Sequence, residues 1–295
     1  MITLHIETEN CIRCGRCTRV CPSLILKQAS PHASIEIVQP ENCIACGHCV
    51  AICPVKAVLH SEFPEEKIHS FENKDYPTAA QLMLLCKARR SNRAFSTREI
   101  PEETLDQILE AAHRAPTASN LQQVEFTLIT DPEKLRFITE FTLNVFRDIS
   151  RKLRNPFLKP LLKITLPDAF RYLPVFDRLL LEYRQGNDLI LRKATAVLFI
   201  HCPASNRFGV MDANLAYQNG SLMAECLGVN QFYTGFVCTA LQQEKKNTLA
   251  TALGINGRIH AGMALGMPEF RFSRYMDKKE RIVNVNPKSR KDSSS

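Results

Sequence analysis

The chain has 295 residues, 45% hydrophobic and 23% charged, with 11 Gly and 16 Pro, which excludes a disordered, collagen-like or low-complexity polymer and leaves room for two domains. The formal charge of +8 is uneven: residues 1–75 hold seven Lys/Arg against nine Asp/Glu, so the remaining 220 residues carry about +10. No basic–aromatic interleaving or reading helix accompanies that excess, so nucleic acid is not an expected partner, and the longest apolar run, near Ala194 to Ile200, is far short of the ~18 residues of a spanning helix.

The first feature in chain order is an internal repeat. CIRCGRCTRVCP and CIACGHCVAICP, within residues 10–22 and 42–54, are offset by 32 positions. Between them ASIEIVQP alternates as a short strand does. This defines a small module over residues 1–60, and the polar, Pro-containing stretch 61–77 predicts a linker. Helices then alternate with strands. Helical periodicity runs from Thr78 to Arg90, and Pro with two Glu opens a helix over Pro101 to Arg114. Val124 to Thr130 predicts a strand, and Asp131-Pro132 opens another helix. Ala194 to Cys202 predicts a buried strand, Asp212 to Leu227 a mostly apolar helix, and Gln231 to Val237 and Ile259 to Gly266 two further strands. Residues 141–193, with four Pro and eleven Lys/Arg, break the pattern and are expected to form an insertion of short amphipathic helices acting as a lid. Residues 288–295 (KSRKDSSS) are expected to be a disordered tail. The alternation predicts an α/β or α+β domain over 78–287 with helices covering a sheet.

The N-terminal segment MITLHIETEN has no apolar core and is not a signal peptide, so a cytoplasmic, reducing location is expected. Twelve Cys there imply metal rather than disulfides. Eight fall in the repeat, each unit Cys-x2-Cys-x2-Cys-x3-Cys-Pro. Three closely spaced Cys wrap one cubane cluster while the fourth reaches the other. On that wiring Cys11, Cys14, Cys17 and Cys53 hold one [4Fe–4S] cluster, and Cys43, Cys46, Cys49 and Cys21 hold the second. Cys-x2-Cys also suits zinc, but zinc knuckles are separated by longer loops, so the doubled spacing favours iron–sulfur. Residues 3–60 resemble the bacterial two-cluster ferredoxins, which implies a one-electron conduit. Cys86 and Cys226 fall in helical apolar patterns and are expected in the core, whereas Cys202 and Cys238 stand at strand ends without a dithiol partner. His48 lies in the second cluster loop, and His113 and His201 carry no assignment. Arg147, Arg151, Lys152 and Arg154 form a basic run expected to be a solvated helix face, so membrane contact is not expected.

Arg89-Arg90-Ser91-Asn92-Arg93-Ala94-Phe95 ends the first helix of the larger domain. Guanidinium groups with a hydroxyl can surround a phosphate, though cations at a helix C-terminus also complement its dipole without a ligand. An amphipathic helix and Ala115-Pro116-Thr117-Ala118-Ser119-Asn120-Leu121-Gln122 follow. Later come Gly228-Val229-Asn230-Gln231-Phe232-Tyr233-Thr234-Gly235 and Gly266-Met267-Pro268 with Arg271 and Arg274. In this order, over residues 80–275, these landmarks resemble the nitroreductase family of FMN-dependent enzymes. The resemblance implies an α+β fold with helices around a mixed sheet, a homodimer, and FMN at the dimer interface. It implies that Arg89, Ser91 and Arg93 grip the FMN phosphate, with Arg90 contributing through its backbone. Asn120 and Gln122 are then expected at the ring and ribityl side, Gly235 at the flavin edge, and Arg271 or Arg274 back at the phosphate. The family's Pro-Trp after Asn-x-Gln is replaced by Gln123-Val124, so the pocket wall differs.

Together the two parts imply an iron–sulfur flavoprotein oxidoreductase that passes electrons through two clusters to FMN. The expected acceptor is a small organic molecule, nitroaromatic, quinone or enone-like, and the donor NAD(P)H or an external ferredoxin. No residue is singled out as catalytic, since the flavin itself performs the hydride chemistry. The alternatives are a non-catalytic electron carrier between proteins, other reductive chemistry on the same scaffold, or a domain that has lost FMN.

Overall fold

A computed structural model describes residues 2–285. In the N-terminal module β1 (Leu4–Ile6) pairs antiparallel with β4 (Val58–His60), joining the two ends of the segment, and β2 (Leu26–Gln28) pairs with β3 (Ile35–Ile37). The short helices α1 (Arg16–Val20) and α2 (His48–Ala51) follow Gly15 and Gly47, whose φ of 67° and 72° suit glycine. A Cβ on Gly15 would also stand 2.5 Å from Gln28 Oε1. Ile6, Ile25, Leu26 and Val58 pack with buried Cys17 and Cys49, so the apolar core of this module is built around thiols.

The larger domain begins with α3 (Ala79–Ala88), whose Thr78 and Gln81 form a reciprocal capping box, and α4 (Glu102–His113). β5 (Glu125–Ile129) precedes α5 (Pro132–Arg154), where Asp131 Oδ1 accepts the Glu133 and Lys134 amides. Then follow α6 (Lys159–Thr165), α7 (Leu173–Arg184), β6 (Ala196–Cys202), α8 (Gly209–Cys226), β7 (Asn230–Tyr233), α9 (Gly235–Gln243), α10 (Thr248–Ala252) and β8 (Arg258–Gly266). The sheet order is β5-β6-β8-β7, with all three ladders antiparallel and Leu198 opposite Met263. The expected mixed character reduces to one parallel bridge, Ser91 to Gln231. On one face α4 and α8 pack Ile108, Ala112 and Ala216 against Leu198, Ile200 and Met263. On the other α5, α7, α9 and α10 bring Phe146, Phe176, Val237 and Leu249 to Val197 and Phe199. Every residue of β6 is buried, as a central strand covered on both faces requires.

The structure departs from the sequence expectations at four places. Residues 141–154, read as the start of an insertion of short helices, are the second half of the continuous 23-residue α5, with Phe141, Leu143, Phe146 and Leu153 buried. Residues 231–237, read as one strand, leave the sheet after Tyr233 and become α9 at Gly235. Cys86 and Cys226, expected in the core, are exposed, Cys86 because no residue of α3 is buried within one chain and Cys226 because it ends α8 away from the face that holds Ala213, Ala216 and Ala224. Cys202 and Cys238 are both buried, the latter in α9 rather than at a strand end. The tail expected over 288–295 lies outside the described residues. Among the described residues no helix is long and apolar enough to cross a membrane.

Candidate functional site

The eight repeat cysteines line two separate cavities. Cys11, Cys14, Cys17 and Cys53 share one of about 330 Å³ with Ile6, Gly15 and Val58. Cys21, Cys43, Cys46 and Cys49 share the other, of about 310 Å³, with Ile25, Gly47 and His60. The last cysteine of each repeat thus crosses to the cavity of the other, the arrangement the spacing predicts for two cubane clusters, and the thiol donor set fits iron–sulfur ligation. Burial pushes the Cys17 thiol up and that of Cys49 to about 11, so iron must displace their protons on binding.

Among the described residues two hydrogen bonds reach the sulfurs of the repeat cysteines. The Ala57 amide donates to Cys53 Sγ at 3.2 Å. His60 Nε2 lies 3.4 Å from Cys43 Sγ, while its Nδ1 accepts the Glu62 amide at 3.1 Å. A ring whose Nδ1 accepts carries its single proton on Nε2, so His60 donates to the sulfur. Burial lowers the His60 pKa against the opposing charge of Glu62, which keeps the ring neutral. Sequence reasoning singled out His48, which is exposed, and missed His60, because the His60–Cys43 contact depends on β4 folding back against β1.

The Arg89–Phe95 segment runs extended along the sheet edge. The Asn230 side chain donates to Ala94 O at 2.9 Å, and buried Asn92 donates to Phe270 O at 3.0 Å. Extended backbone sends alternate side chains to opposite sides. Arg89 and Arg93 approach Tyr217, whose phenol burial pushes up to about 12 while the two guanidiniums oppose the rise. Tyr217 donates to Gln231 Oε1 at 2.7 Å, and Arg93 stands 5.2 Å over the Phe232 ring. Arg192 joins this group: burial first, and then the charge of Arg93, lower its pKa, and its Nε is buried without a partner. Among the described residues neither Arg89, Arg93 nor Arg192 has a salt bridge, leaving a concentration of positive charge that a phosphate fits. Arg192 carried no sequence signal, since it stands at the end of the stretch read as an insertion.

Arg90 faces the other way. It lines a cavity of about 470 Å³ with Arg271, Asn92, Glu225 and Gly228, and its Nη2 contacts Met276 Sδ at 3.7 Å. Ser91 forms the parallel bridge to Gln231, and Arg274 is exposed on the C-terminal segment. Gly235 opens α9 at the surface, and a Cβ built there meets nothing within 4 Å, so a flat ring has room above it. The structure therefore gathers Arg89 and Arg93 with Arg192 but sends the side chains of Arg90 and Arg271 to a second cavity.

Asn120 has a different neighbour from the one the resemblance implies. Its Nδ2 donates to Ile44 O at 3.0 Å and Ala45 O at 2.8 Å, both in the loop between Cys43 and Cys46. The supporting turn is strained, with Ser119, Asn120 and Gln122 at φ of 52°, 53° and 51°. It is held by the Ala118 amide on Asp212 Oδ1 and the Gln122 amide on Thr117 Oγ1, each at 3.0 Å. The Gln122 side chain lines a shallow cavity with Thr117, Asp212 and Ala216.

Residues 86–267 match the model of the nitroreductase family, and residues 3–54 match that of a 4Fe–4S dicluster domain. A provisionally named NADH dehydrogenase/NAD(P)H nitroreductase of Archaeoglobus fulgidus is 26% identical over 188 residues, 61% of this chain and 82% of its own. Among solved structures, an FMN-bound nitroreductase of Bacteroides fragilis superposes with a TM-score of 0.52 at 21% identity, covering 70% of this chain and 99% of its own. One from Desulfitobacterium hafniense, also with FMN, gives 0.53 at 17% identity, covering 69% and 97%. These likenesses show the same fold over the larger domain.

Proposed function

The chain belongs to the nitroreductase family and carries an N-terminal 4Fe–4S dicluster domain, and from that premise we propose that it joins two [4Fe–4S] clusters to FMN for the two-electron reduction of a small organic acceptor. The observation that carries this reading is the pair of hydrogen bonds from Asn120 to Ile44 and Ala45, which tie a cluster loop to the turn that the family resemblance places beside the flavin. When bound, FMN supplies hydride chemistry and the clusters supply single electrons. Arg89, Arg93 and Arg192 hold the phosphate as three cations without carboxylate partners. Gly235 leaves the ring edge unobstructed, and buried Tyr217 and Gln231, bonded to each other, fix the polar wall beneath the arginines. The acceptor class, nitroaromatic, quinone or enone-like, is the one the family resemblance implies, and the open space at Gly235 would admit flat, electron-poor molecules.

An anaerobic absorption titration tests the reading. We expect FMN and iron in the purified chain, and flavin bleaching on addition of reduced ferredoxin or NADH. Bleaching by ferredoxin alone makes the N-terminal module the input, whereas immediate bleaching by NADH makes a nicotinamide the donor. A spectrum without flavin, or clusters that are reduced while the flavin stays oxidised with every donor tried, would overturn the proposal.

A further inference from the structure

The two halves of the cysteine repeat differ at five matching positions, and at three of them the first half alone carries arginine. Where the first has Arg13, Arg16 and Arg19, the second, 32 residues on, has Ala45, His48 and Ala51. All three arginines are exposed, and none forms a salt bridge among the described residues. Arg16 lines the cavity of Cys11, Cys14, Cys17 and Cys53, Arg13 precedes Cys14 and Arg19 follows Cys17 on α1, and the cavity also exposes Ile12 and Cys14. The nearest acidic side chain along the chain with a described bond, Glu7, accepts from Asn10 rather than from an arginine. The second loop has no Lys, Arg, Asp or Glu between its cysteines, and its Ile44 and Ala45 carbonyls are the ones taken by Asn120. Among the described residues these are the only hydrogen bonds between residues 2–60 and 78–285.

We infer that the module is polarised: the Arg13/Arg16/Arg19 face docks an acidic one-electron carrier protein beside the Cys11/Cys14/Cys17/Cys53 cluster, and the Cys21/Cys43/Cys46/Cys49 cluster, held by Asn120, is the one that faces the flavin. This rests on the proposed function above. Three exposed guanidiniums around an apolar rim favour a carboxylate-rich partner and speed its encounter at low salt. Each encounter oxidises the carrier by one electron and reduces the outer cluster by one. Two encounters supply the two electrons that, with a proton from solvent, reduce the flavin, and both clusters return to their oxidised state. Asn120 acts here as a positioning residue.

The test uses the full chain with both clusters and FMN, and stopped-flow mixing with a reduced acidic bacterial ferredoxin as the probe. Sodium dithionite, a small reductant that needs no docking site, serves as the reference. The triple reversal R13E/R16E/R19E is expected to slow cluster reduction by ferredoxin at least tenfold at low ionic strength and to flatten its salt dependence, with the dithionite rate and iron content unchanged. R13Q/R16Q/R19Q should fall between, which guards against a folding defect in the reversal. R147E/R151E/K152E, at exposed positions of α5, should behave like the parent. Asn120→Ala, its rate read per bound flavin, should slow the cluster-to-flavin step and leave the ferredoxin-to-cluster step alone. A triple reversal that accepts electrons at the parental rate, an α5 reversal equally slow, or an Asn120→Ala defect confined to the first step would each overturn the inference. Parental clusters that fill from ferredoxin without passing electrons to the flavin would overturn the proposed function instead, while the docking face is still read in the first step.

Discussion

His60 gives the second cavity a donor that no sequence pattern announced. A hydrogen bond to a cluster sulfur favours the reduced, more negative state and so raises the potential. Removing a bond worth ~1 kcal/mol corresponds to about 40 mV for a one-electron couple. His60→Leu should therefore lower the potential of the Cys21/Cys43/Cys46/Cys49 cluster by about that amount while the other, whose donor is the Ala57 amide, stays put. An EPR-monitored redox titration resolves the two, and equal potentials in His60→Leu and parent would remove the assigned role. Arg192 makes the parallel case in the larger domain. Its buried, unpartnered Nε beside Arg93 is costly without an anion and useful with one. A charge-assisted hydrogen bond is worth ~1.5–3 kcal/mol, so Arg192→Met should weaken FMN binding roughly 10- to 100-fold. Fluorescence of released flavin on dilution measures this, and undiminished retention would place the phosphate elsewhere.

At the scale of elements, α5 decides how the middle of the chain is understood. Phe146 is fully buried and stacks on Phe176 of α7, with ring centroids 4.5 Å apart. If 141–153 were a detachable lid, shortening Phe146 would cost little. As part of the core, Phe146→Ala should destabilise the protein by ~3–5 kcal/mol, whereas Phe157→Ala, on a 91% exposed side chain, should stay within ~0.5 kcal/mol. Chemical denaturation of the two variants gives the comparison. The same helix shows what a sequence can and cannot reveal. Its start was legible because Asp131-Pro132 is a local signal, a side-chain cap followed by a residue that needs no amide partner. Its end was not, because the basic residues after Phe141 obscure a periodicity that only α7 and α9 complete. Likewise Gln231 to Val237 reads as one apolar strand. The turn at Thr234 comes from β8, whose Gly262 carbonyl accepts the Thr234 amide at 2.9 Å. The gathering of the repeat cysteines into two cavities was legible because cluster chemistry dictates such a spacing. Arg192 and His60 were not, because each meets its neighbours only through tertiary folding.

The whole molecule leaves apolar surface that one chain does not cover. Leu82, Met83 and Leu84 project from α3, and Met211 and Leu215 from α8, all about half exposed or more, and the C-terminal segment adds Phe270 and Phe272. A single solvent-exposed Leu means little, but a helix with no buried residue at all, as in α3, gains little from packing within its own chain. The exposed position of Gly235 adds a second argument, since a flavin edge left open to water on that side would lose the exclusion that hydride chemistry benefits from. Both features are resolved together if a second copy of the chain covers α3 and the outer face of α8 and closes the cofactor site, as the family resemblance implies. The outer face of α8 is the better place to test this, because its opposite face is anchored by Ala213, Ala216 and Ala224 in the core and tolerates change on the solvent side. Met211→Arg with Leu215→Arg should then leave the secondary structure intact but convert a dimer to a monomer in light scattering at micromolar concentration, and FMN should be lost in parallel with the dimer. Two charges placed on a surface that faces only solvent would change neither, so a doubly substituted chain of unchanged mass that keeps its flavin would show that this face of α8 is free and that the cofactor site is complete within one chain.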